Sequence, residues 1–276
     1  MKIGISLPVR EMKDDLMAIK DFAVAAEELG YTHLRIPDQV LRPGNNHLHE
    51  PLTLLAWVAG FTKKIELVAS VIVAPARQTV LLAKQAAQID LLSQGRLRLG
   101  IGVGANREEF RYLAENFENR GKRCSEQIKI LKELWSKEEV NFEGTWHRIE
   151  KAGLNPLPIQ RPIPIWIGAQ ANPVEAVVER IGTLADGWFV LCDPKEFASL
   201  DKKVKAHAEA VGRDSASIQT EAGVAVVGPR EKEWESRVRV WKELGLTHIC
   251  LRTLGANLEA SAHIEKLKEI LPKIPR

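Results

Sequence analysis

An aspartate ends the second of the chain's apolar, strand-like segments. Asp38 lies in the segment RIPDQV, and Gln39 comes directly after it. In folds that alternate strands and helices, ligands bind at the carboxyl ends of the parallel strands. A carboxylate at that end can position a ligand or carry a proton. It can also cap its own loop, and the sequence leaves both roles open.

Glycines cluster where a later strand ends. Residues 96–103 have the pattern of a buried strand that runs into Gly100, Gly102 and Gly104, within the segment GIGVGA. Backbone without side chains lets a flat ligand lie close to a strand. Tight packing inside a narrow barrel is the alternative. The spacing also matches the dinucleotide-binding fingerprint, with Ala105 in the last place. The motif follows the fourth strand and not the first, so a flat aromatic ring is favoured over a dinucleotide.

A third group of small residues precedes a helix. Gly168, Ala169, Gln170 and Ala171 follow the strand-like segment IWIG, and a helix pattern begins near Pro173. Backbone N–H groups at a helix N-terminus bind phosphate, so this turn is a candidate phosphate loop. An ordinary turn between a strand and a helix is the alternative.

Motifs for metal binding and nucleophilic catalysis are missing from the sequence. It contains no H-E-x-x-H and no G-x-S-x-G segment, and we predict no metal site. Its three cysteines are far apart, which indicates neither a disulfide framework nor a metal site and agrees with a reducing cytoplasm. His47 and His49 lie in a polar loop that could line a ligand site. The histidines in strand and helix patterns are expected to be structural; they are His33, His207, His248 and His263.

The elements that must position these residues alternate between strand and helix patterns. The strand patterns cover residues 2–7, 32–37, 65–73, 96–103, 163–168, 187–191, 218–227 and 247–252. The helix patterns cover residues 14–29, 51–62, 79–93, 126–135, 174–181, 194–211, 231–244 and 258–270. This alternation predicts a (β/α)8 TIM barrel. A doubly wound sheet is less favoured, because its usual strand count is about six.

One segment departs from the alternation. Residues 139–158 contain a hairpin pattern, VNFEGTWHRIE, followed by a proline-rich passage. With the long helical stretch before them, they form an insertion between the fourth and fifth strands, and insertions on barrel loops usually shape the substrate mouth. Since no second domain is needed, we predict one TIM-barrel domain over residues 1–276.

The bulk composition excludes several classes of protein. The chain is 45% apolar and 27% charged, as is typical of globular proteins, and a net charge of +3 gives no argument for nucleic acid. No apolar run approaches the roughly 20 residues of a membrane span, and the opening MKIGISLPV is not a secretory signal. We expect a cytoplasmic protein that binds neither nucleic acid nor membrane.

Several motifs in order resemble those of the luciferase-like flavin-dependent oxidoreductases. The segments that carry the resemblance are LAKQAAQIDLLSQGRLRLGIGVGANREEF and PIPIWIGAQANPVEAVVERIGTLADGWF, with IGISLP, RIPDQV and EPLTLLAWVAGFTKKIEL before them and RGKRCSEQIKILKELW with FEGTWHRI between them. Within that family the chain is most similar to the group of probable coenzyme F420-dependent oxidoreductases. The resemblance implies a (β/α)8 barrel with the same insertion, and FMN or the deazaflavin F420 bound at the C-terminal rim.

The resemblance also implies roles for residues at the ends of the second and third strands. Ser70 and Val71 match the place where relatives have a cis peptide between non-proline residues, behind the central ring of the cofactor. Asp38 matches a rim aspartate that contacts cofactor. Gln39 stands where many F420-binding relatives have a histidine, and a neutral amide cannot carry a proton as imidazole does. Asp38 and Gln39 are therefore the candidate catalytic residues.

Further cofactor contacts are implied by the later strands. The residues that match contacts to the ring are Gly102, Gly104 and Asn106, and those that match contacts to the phosphate are Gly168, Ala169, Gln170 and Lys195. Sugar-phosphate-oxidising relatives place an acidic residue just past the fourth strand, where this chain has Asn106, so their mechanism does not transfer directly. Arg77, Arg107 or the loop histidines could instead receive an anionic or carbonyl substrate.

The resemblance gives an expected function with two alternatives. We expect an oxidoreductase that uses reduced F420 for hydride transfer to or from a small organic substrate, with positioning as the main contribution of the protein. The alternatives are an FMN-dependent monooxygenase that uses dioxygen and a non-catalytic flavin-binding protein. A separate flavin or F420 reductase is a possible partner. A homodimer is expected through the second and third helices, whose small residues would allow close packing; these are Ala56, Ala59, Ala83 and Ala87.

Overall fold

The computed structural model describes residues 1–41 and 48–275. The strands found there are β1 Lys2–Ser6, β2 His33–Ile36, β3 Glu66–Val73, β4 Leu97–Gly102, β5 Val140–Glu143, β6 Arg148–Ala152, β7 Ile165–Gly168, β8 Gly187–Val190, β9 Gln219–Ala225 and β10 His248–Arg252. Eight of them form a closed parallel barrel in the order β1-β10-β9-β8-β7-β4-β3-β2. The remaining two, β5 and β6, pair as an antiparallel hairpin.

Helices surround the barrel. They are α1 Val9–Met12, α2 Leu16–Glu28, α3 Pro51–Ala59, α4 Thr79–Leu92, α5 Arg107–Tyr112, α6 Arg120–Ser136, α7 Glu175–Leu184, α8 Pro194–Ala210, α9 Trp234–Glu243 and α10 Ala260–Ile270. In the described ranges, no helix has both the length and the apolar character needed to cross a bilayer.

The predicted (β/α)8 barrel with its insertion is confirmed. The β5–β6 hairpin lies in the chain between β4 and β7, which are the fourth and fifth strands of the barrel. The insertion begins earlier than the predicted hairpin, because the short helix α5 and the first turns of α6 also follow β4.

The sequence explains why the central elements form where they do. All six residues of β4 are buried, as expected for a parallel strand covered on both faces. Helix α4 begins after Gln78, whose Oε1 accepts a hydrogen bond from the Leu81 N–H, and it ends before Gly95, whose φ of +79° suits glycine. Helix α8 begins with a capping box formed by Asp193 and Glu196. The carboxyl ends of the strands are thereby held in fixed positions around the barrel mouth.

The small residues expected to line a dimer contact lie mostly inside the chain. Ala59, Ala83 and Ala87 are buried against the chain's own core. The Ala83 carbonyl also accepts a hydrogen bond from the Trp135 indole at 3.0 Å. They therefore pack α3 and α4 onto their neighbours, and the expectation that they face a second chain was wrong. The exposed apolar side chains of the same two helices include Trp57 and Leu81.

Candidate functional site

Three neighbouring strands of the barrel meet around one side chain at the mouth. A Cβ atom added to Gly102 would lie 2.6 Å from Val71 Cγ2, and one added to Gly168 would lie 2.9 Å from Val71 Cγ1. The two glycines thus make room for Val71, which is half-buried. We call these three residues the Val71 shelf. It joins the ends of β3, β4 and β7, which the sequence analysis assigned to one cofactor.

Close packing within the chain explains the glycines at the end of β4. At Gly100 a Cβ atom would lie 2.2 Å from the carbonyl oxygen of Ala69, so only glycine fits there. Chain packing explains Gly100 and Gly102, while the apolar surface available to a flat ligand comes from Val71 itself. The Ser70–Val71 peptide is cis, as the resemblance implies.

Gly104 and Asn106 shape the turn that follows β4. Gly104 has a φ of +74°, and a Cβ atom there would lie 2.7 Å from Val73 Cγ1 and 2.8 Å from Phe110 Cε2. Its carbonyl accepts a hydrogen bond from Arg120 at 3.2 Å. Asn106 begins α5, and its side-chain oxygen accepts a hydrogen bond from the Glu108 N–H. Both residues therefore hold this turn at the rim beside the Val71 shelf.

Asp38 braces the rim with both of its carboxylate oxygens. Its Oδ2 accepts a hydrogen bond from the Val73 N–H at 3.1 Å, and Arg77 donates to Oδ1 and Oδ2 at 3.0 and 3.1 Å. The side chain is only 1% exposed. Burial raises the pKa of Asp38, and Arg77 and the Val73 amide oppose that rise. The arrangement ties the end of β2 to the end of β3, and Gln39 follows half-buried.

The two arginines suggested as substrate receptors already have partners. Arg77 binds Asp38 and also lies 3.2 Å from Glu50. Arg107 pairs with Glu118 at 2.6 Å on the surface. Of the loop histidines, His49 contacts the Lys13 carbonyl at 2.7 Å. His47 lies outside the described residues.

The candidate phosphate loop lies at the start of α7. Gly168 is half-buried, Ala169 is buried and Gln170 is exposed, so the loop rises from the barrel to the surface. The helix follows at Glu175, and within residues 1–41 and 48–275 no side chain caps its first N–H groups. This leaves backbone donors of the kind that bind phosphate.

Lys195 lines a different part of the mouth from the phosphate loop. It lies in the first turn of α8, beside a cavity of about 670 Å³ at the ends of β8, β9 and β10. Arg230, Arg237 and Arg252 line the same cavity, whereas Gly168, Ala169 and Gln170 do not. Because β9 lies across the barrel from β3, this cavity lies across the mouth from the strand that carries Val71.

A buried charged cluster forms the floor between the shelf and the cavity. Glu221 on β9 lies 2.7 Å from Arg35 NH1 and 2.9 Å from Arg98 NH1, and its Oε2 is 3.2 Å from His33 Nε2. Burial would raise the pKa of Glu221, but these neighbours hold it well below its ordinary value. Arg35 also donates to Ser70 Oγ at 2.9 Å, and its side chain is 17% exposed towards the cavity.

The ligand atoms of His33, Glu221 and Cys250 lie close enough together for a metal ion, within 4.8 Å of one another. Their chemistry does not fit one. The guanidinium groups of Arg35 and Arg98 engage both oxygens of Glu221. Burial also raises the pKa of Cys250 to about 12, so the thiol keeps its proton and is a poor metal ligand.

Four charged residues of the mouth were not predicted from the sequence to belong to the site; they are Arg35, Glu221, Arg237 and Arg252. A signal was present for the first two, because each is a charged residue inside a segment that otherwise has the pattern of a buried strand. Charged groups are almost never fully buried unless they are paired. Arg237 carries no such signal, since arginine on an amphipathic helix is common.

The fold is a (β/α)8 barrel whose candidate site residues lie at the carboxyl ends of its strands. The family model for luciferase-like monooxygenase matches residues 1–271. The chain therefore belongs to the luciferase-like monooxygenase family, as the motifs indicate.

Individual relatives agree with this assignment. The chain is 28% identical to an F420-dependent glucose-6-phosphate dehydrogenase of Gordonia bronchialis, over 99% of this chain and 81% of that protein. Among solved structures it resembles the monooxygenase RslO1 from Streptomyces bottropensis, with a TM-score of 0.83 at 19% identity over 99% of this chain and 98% of that chain. It also resembles an F420-dependent secondary alcohol dehydrogenase solved with an F420-acetone adduct, with a TM-score of 0.82 at 17% identity over 100% and 99%. The two structures support the fold.

Proposed function

We propose that the protein is an oxidoreductase that binds coenzyme F420 at the barrel mouth and moves a hydride to or from a small organic substrate. The Val71 shelf carries this proposal. It offers a half-buried apolar side chain, flanked by two glycines, at the place where three strands end. A planar ring fits such a surface because it buries apolar area there.

Each group of rim residues receives a role in this proposal. Ser70 and Val71 support the ring, and Gly102, Gly104 and Asn106 shape the strand end that flanks it. The N–H groups of the loop at Gly168, Ala169 and Gln170 bind the cofactor phosphate, and Lys195 is a further candidate contact to an anionic group. When bound, F420 supplies a ring carbon that gives or takes hydride.

Asp38 and Gln39 have different roles at the catalytic rim in this proposal. Both oxygens of Asp38 are engaged by Val73 and Arg77, so this residue fixes the rim and does not transfer protons. Gln39 follows it, and its amide can donate or accept a hydrogen bond without moving a proton. Substrate positioning is then the main contribution of these residues to the rate.

The names of the relatives favour F420 over FMN. One relative that matches nearly the whole chain is named an F420-dependent dehydrogenase, and one structural neighbour is also named F420-dependent. The neighbour named as a monooxygenase supports the alternative, an FMN-dependent monooxygenase that uses dioxygen. A non-catalytic flavin-binding protein is the second alternative.

Titration of the purified protein with F420 and with FMN tests the choice. We expect a micromolar dissociation constant for F420 and at least tenfold weaker binding of FMN. The reverse order would support the monooxygenase. Tight binding of F420 without any turnover, across panels of alcohols, aldehydes and alkenes, would support the non-catalytic alternative.

A substitution on the shelf tests where the ring lies. Val71→Asp should weaken F420 binding at least tenfold, because the ring would have to desolvate a carboxylate. Val80→Asp, at an exposed position on α4, is the matched control and should leave the affinity unchanged. Equal affinities for the two variants would show that the ring does not rest on Val71.

We further propose that the protein works in the cytoplasm as a homodimer, supplied with reduced cofactor by a separate reductase. The exposed side chains of Trp57 and Leu81 support the dimer, because large exposed apolar groups on neighbouring helices often mark a protein interface. They would contribute a contact surface on α3 and α4.

A further inference from the structure

The regular backbone pairing of β3 stops short of the residue at the centre of the Val71 shelf. On one side, the register of β2 with β3 ends with Ile36 opposite Ala69. On the other side, the register of β3 with β4 shifts between Ala69 and Ile72. Such a shift locally interrupts the hydrogen bonds between strands. Ser70 and Val71 lie within it, so their position depends more on side-chain contacts than that of the rest of the strand.

Arg35 supplies such a contact from β2. Its Nε donates a hydrogen bond to Ser70 Oγ at 2.9 Å, and one of its terminal nitrogens donates to the same oxygen. Ser70 is itself half-buried. Because both donors belong to one planar group, the orientation of that group fixes the position of the Ser70 hydroxyl.

The orientation of Arg35 is set by two buried side chains. Its other terminal nitrogen donates to Glu221 Oε1 at 2.7 Å, and Glu221 is fully buried. Its guanidinium carbon also lies 4.7 Å from the centre of the Phe189 ring on β8. A charge-assisted hydrogen bond and a cation–π contact therefore hold the guanidinium from two directions.

We call Glu221, Arg35 and Ser70 the brace. It begins on β9, which lies across the barrel from β3, and it crosses the barrel interior through the Arg35 side chain. It ends at the residue directly before Val71. The brace thus connects a fully buried charge to the one part of β3 where the strand pairing is irregular.

Arg98 gives an internal comparison, because it binds the other oxygen of the same carboxylate. Its distance to Glu221 Oε2 is 2.9 Å. Arg98 also lies 2.8 Å from Glu66, the first residue of β3, and its guanidinium stacks over the Trp166 ring. Its contacts with β3 are therefore at the opposite end of the strand from Ser70.

We propose that Arg35 is a positioning residue of the cofactor site, which holds Ser70 and with it Val71 in the arrangement that receives the ring. Glu221 acts through Arg35 by fixing its orientation. This inference rests on the proposed function, since that function puts the ring on the Val71 shelf. If only the braced arrangement accepts the ring, loss of the brace reduces the apparent affinity by the fraction of molecules that remain arranged.

Ser70→Ala is the sharpest test, because it removes the end of the brace and leaves the buried ion pairs of Glu221 in place. Titration with F420 should show at least fivefold weaker binding than in the wild type. Arg35→Met should weaken F420 binding at least as much. Wild-type affinity in either variant would overturn the proposal.

Arg98→Met is the matched control, since it removes a guanidinium from the same carboxylate without touching Ser70. Its melting temperature without cofactor should fall further than that of Ser70→Ala, because a buried charge loses a partner. Its affinity for F420 should stay within twofold of the wild type. Equal losses of affinity in Arg98→Met and Arg35→Met would reflect general loosening of the barrel floor and would overturn the assignment of Arg35.

The double variant Arg35→Met, Ser70→Ala tests whether the two residues act as one unit. If Ser70 acts on the ring through its bond to Arg35, the double variant should bind F420 within twofold of the weaker single variant. Losses that multiply in the double variant would show that Ser70 and Arg35 act separately, which contradicts the brace.

A measurement without cofactor separates this inference from the proposed function. NMR order parameters of the Val71 methyl groups should fall in Ser70→Ala and Arg35→Met and stay at the wild-type value in Arg98→Met. That result, in a protein with no affinity for F420, would leave the brace standing and reject the F420 proposal. Tight F420 binding, with affinity and order parameters unchanged in Ser70→Ala and Arg35→Met, would reject the brace and leave the proposed function standing.

Discussion

Glu221 holds together the buried charges at the centre of the barrel. Its carboxylate is shared by Arg35 and Arg98, and it is itself fully buried. Removing one partner from a buried ion pair leaves the others without compensation, which usually costs more than the pair contributed. The stability of the barrel floor should therefore depend on this one side chain.

Glu221→Gln should lower the free energy of unfolding by about 3 to 5 kcal/mol, because Arg35 and Arg98 lose a buried counter-charge and Arg98 alone keeps another, at Glu66. Urea denaturation measures the loss. Glu235→Gln, at an exposed position on α9, is the control and should change stability by less than about 0.5 kcal/mol. A loss below about 1 kcal/mol for Glu221→Gln would mean that water reaches the cluster.

The pH dependence of stability tests the charge state of Glu221. The pKa of Glu221 is lower in the folded protein than its ordinary value, which it has in the unfolded chain. The contribution of Glu221 to the free energy of unfolding is therefore complete above the ordinary pKa and declines as the pH falls through the folded pKa. The difference in stability between wild type and Glu221→Gln should therefore narrow as the pH is lowered below about 4.3. A difference that widens on acidification would contradict the assigned charge state.

At the scale of elements, the carboxylate of Glu126 ties the turn of the inserted hairpin to helix α6. Glu126 on α6 accepts hydrogen bonds from the N–H groups of Thr145 and Trp146 at 2.7 and 2.9 Å, and from His147 Nδ1 at 2.8 Å. The other nitrogen of His147 lies 2.6 Å from Thr79 Oγ1 at the start of α4. The turn of the hairpin is thus fixed to two helices.

Glu126→Ala should release the hairpin turn while the barrel stays folded. Hydrogen exchange at Thr145 and Trp146 should become at least tenfold faster, because their N–H groups lose an acceptor. Glu133→Ala is the control, since Glu133 lies on the same helix and pairs with Lys137 on the surface. Unchanged exchange at the turn would show that β5 and β6 hold it without Glu126.

The whole barrel could be predicted because its strands and helices give a regular pattern of apolar residues in the sequence. Buried parallel strands such as β3 and β4 are apolar on both faces, and the helices between them repeat an apolar stripe. The hairpin could also be predicted, because the segment FEGTWHRI interrupts the alternation of strand and helix patterns.

The partners of charged side chains could not be predicted in this way. Which group Asp38 binds depends on Arg77 and Val73, which follow more than 30 residues later and approach only when β2 and β3 pair. The cavity at the ends of β8, β9 and β10 likewise combines cationic side chains from β10, α8 and α9, and no local pattern relates them.

The same limit applies to the outer surface, where burial must be known before an interface can be assigned. The alanines of α4 are buried, but Leu81 on the same helix is 57% exposed and Trp57 on α3 is 38% exposed.

If the side chains of Leu81 and Trp57 form the proposed homodimer contact, Leu81→Arg should place two charges in an apolar interface and dissociate the dimer. Light scattering after size exclusion should show a fall from about twice 30.8 kDa to 30.8 kDa. Val211→Arg is the control, because Val211 is also exposed but follows α8, and the strand before α8 lies across the barrel from β2. A dimer that persists in Leu81→Arg but dissociates in Val211→Arg would move the interface to the opposite side of the barrel.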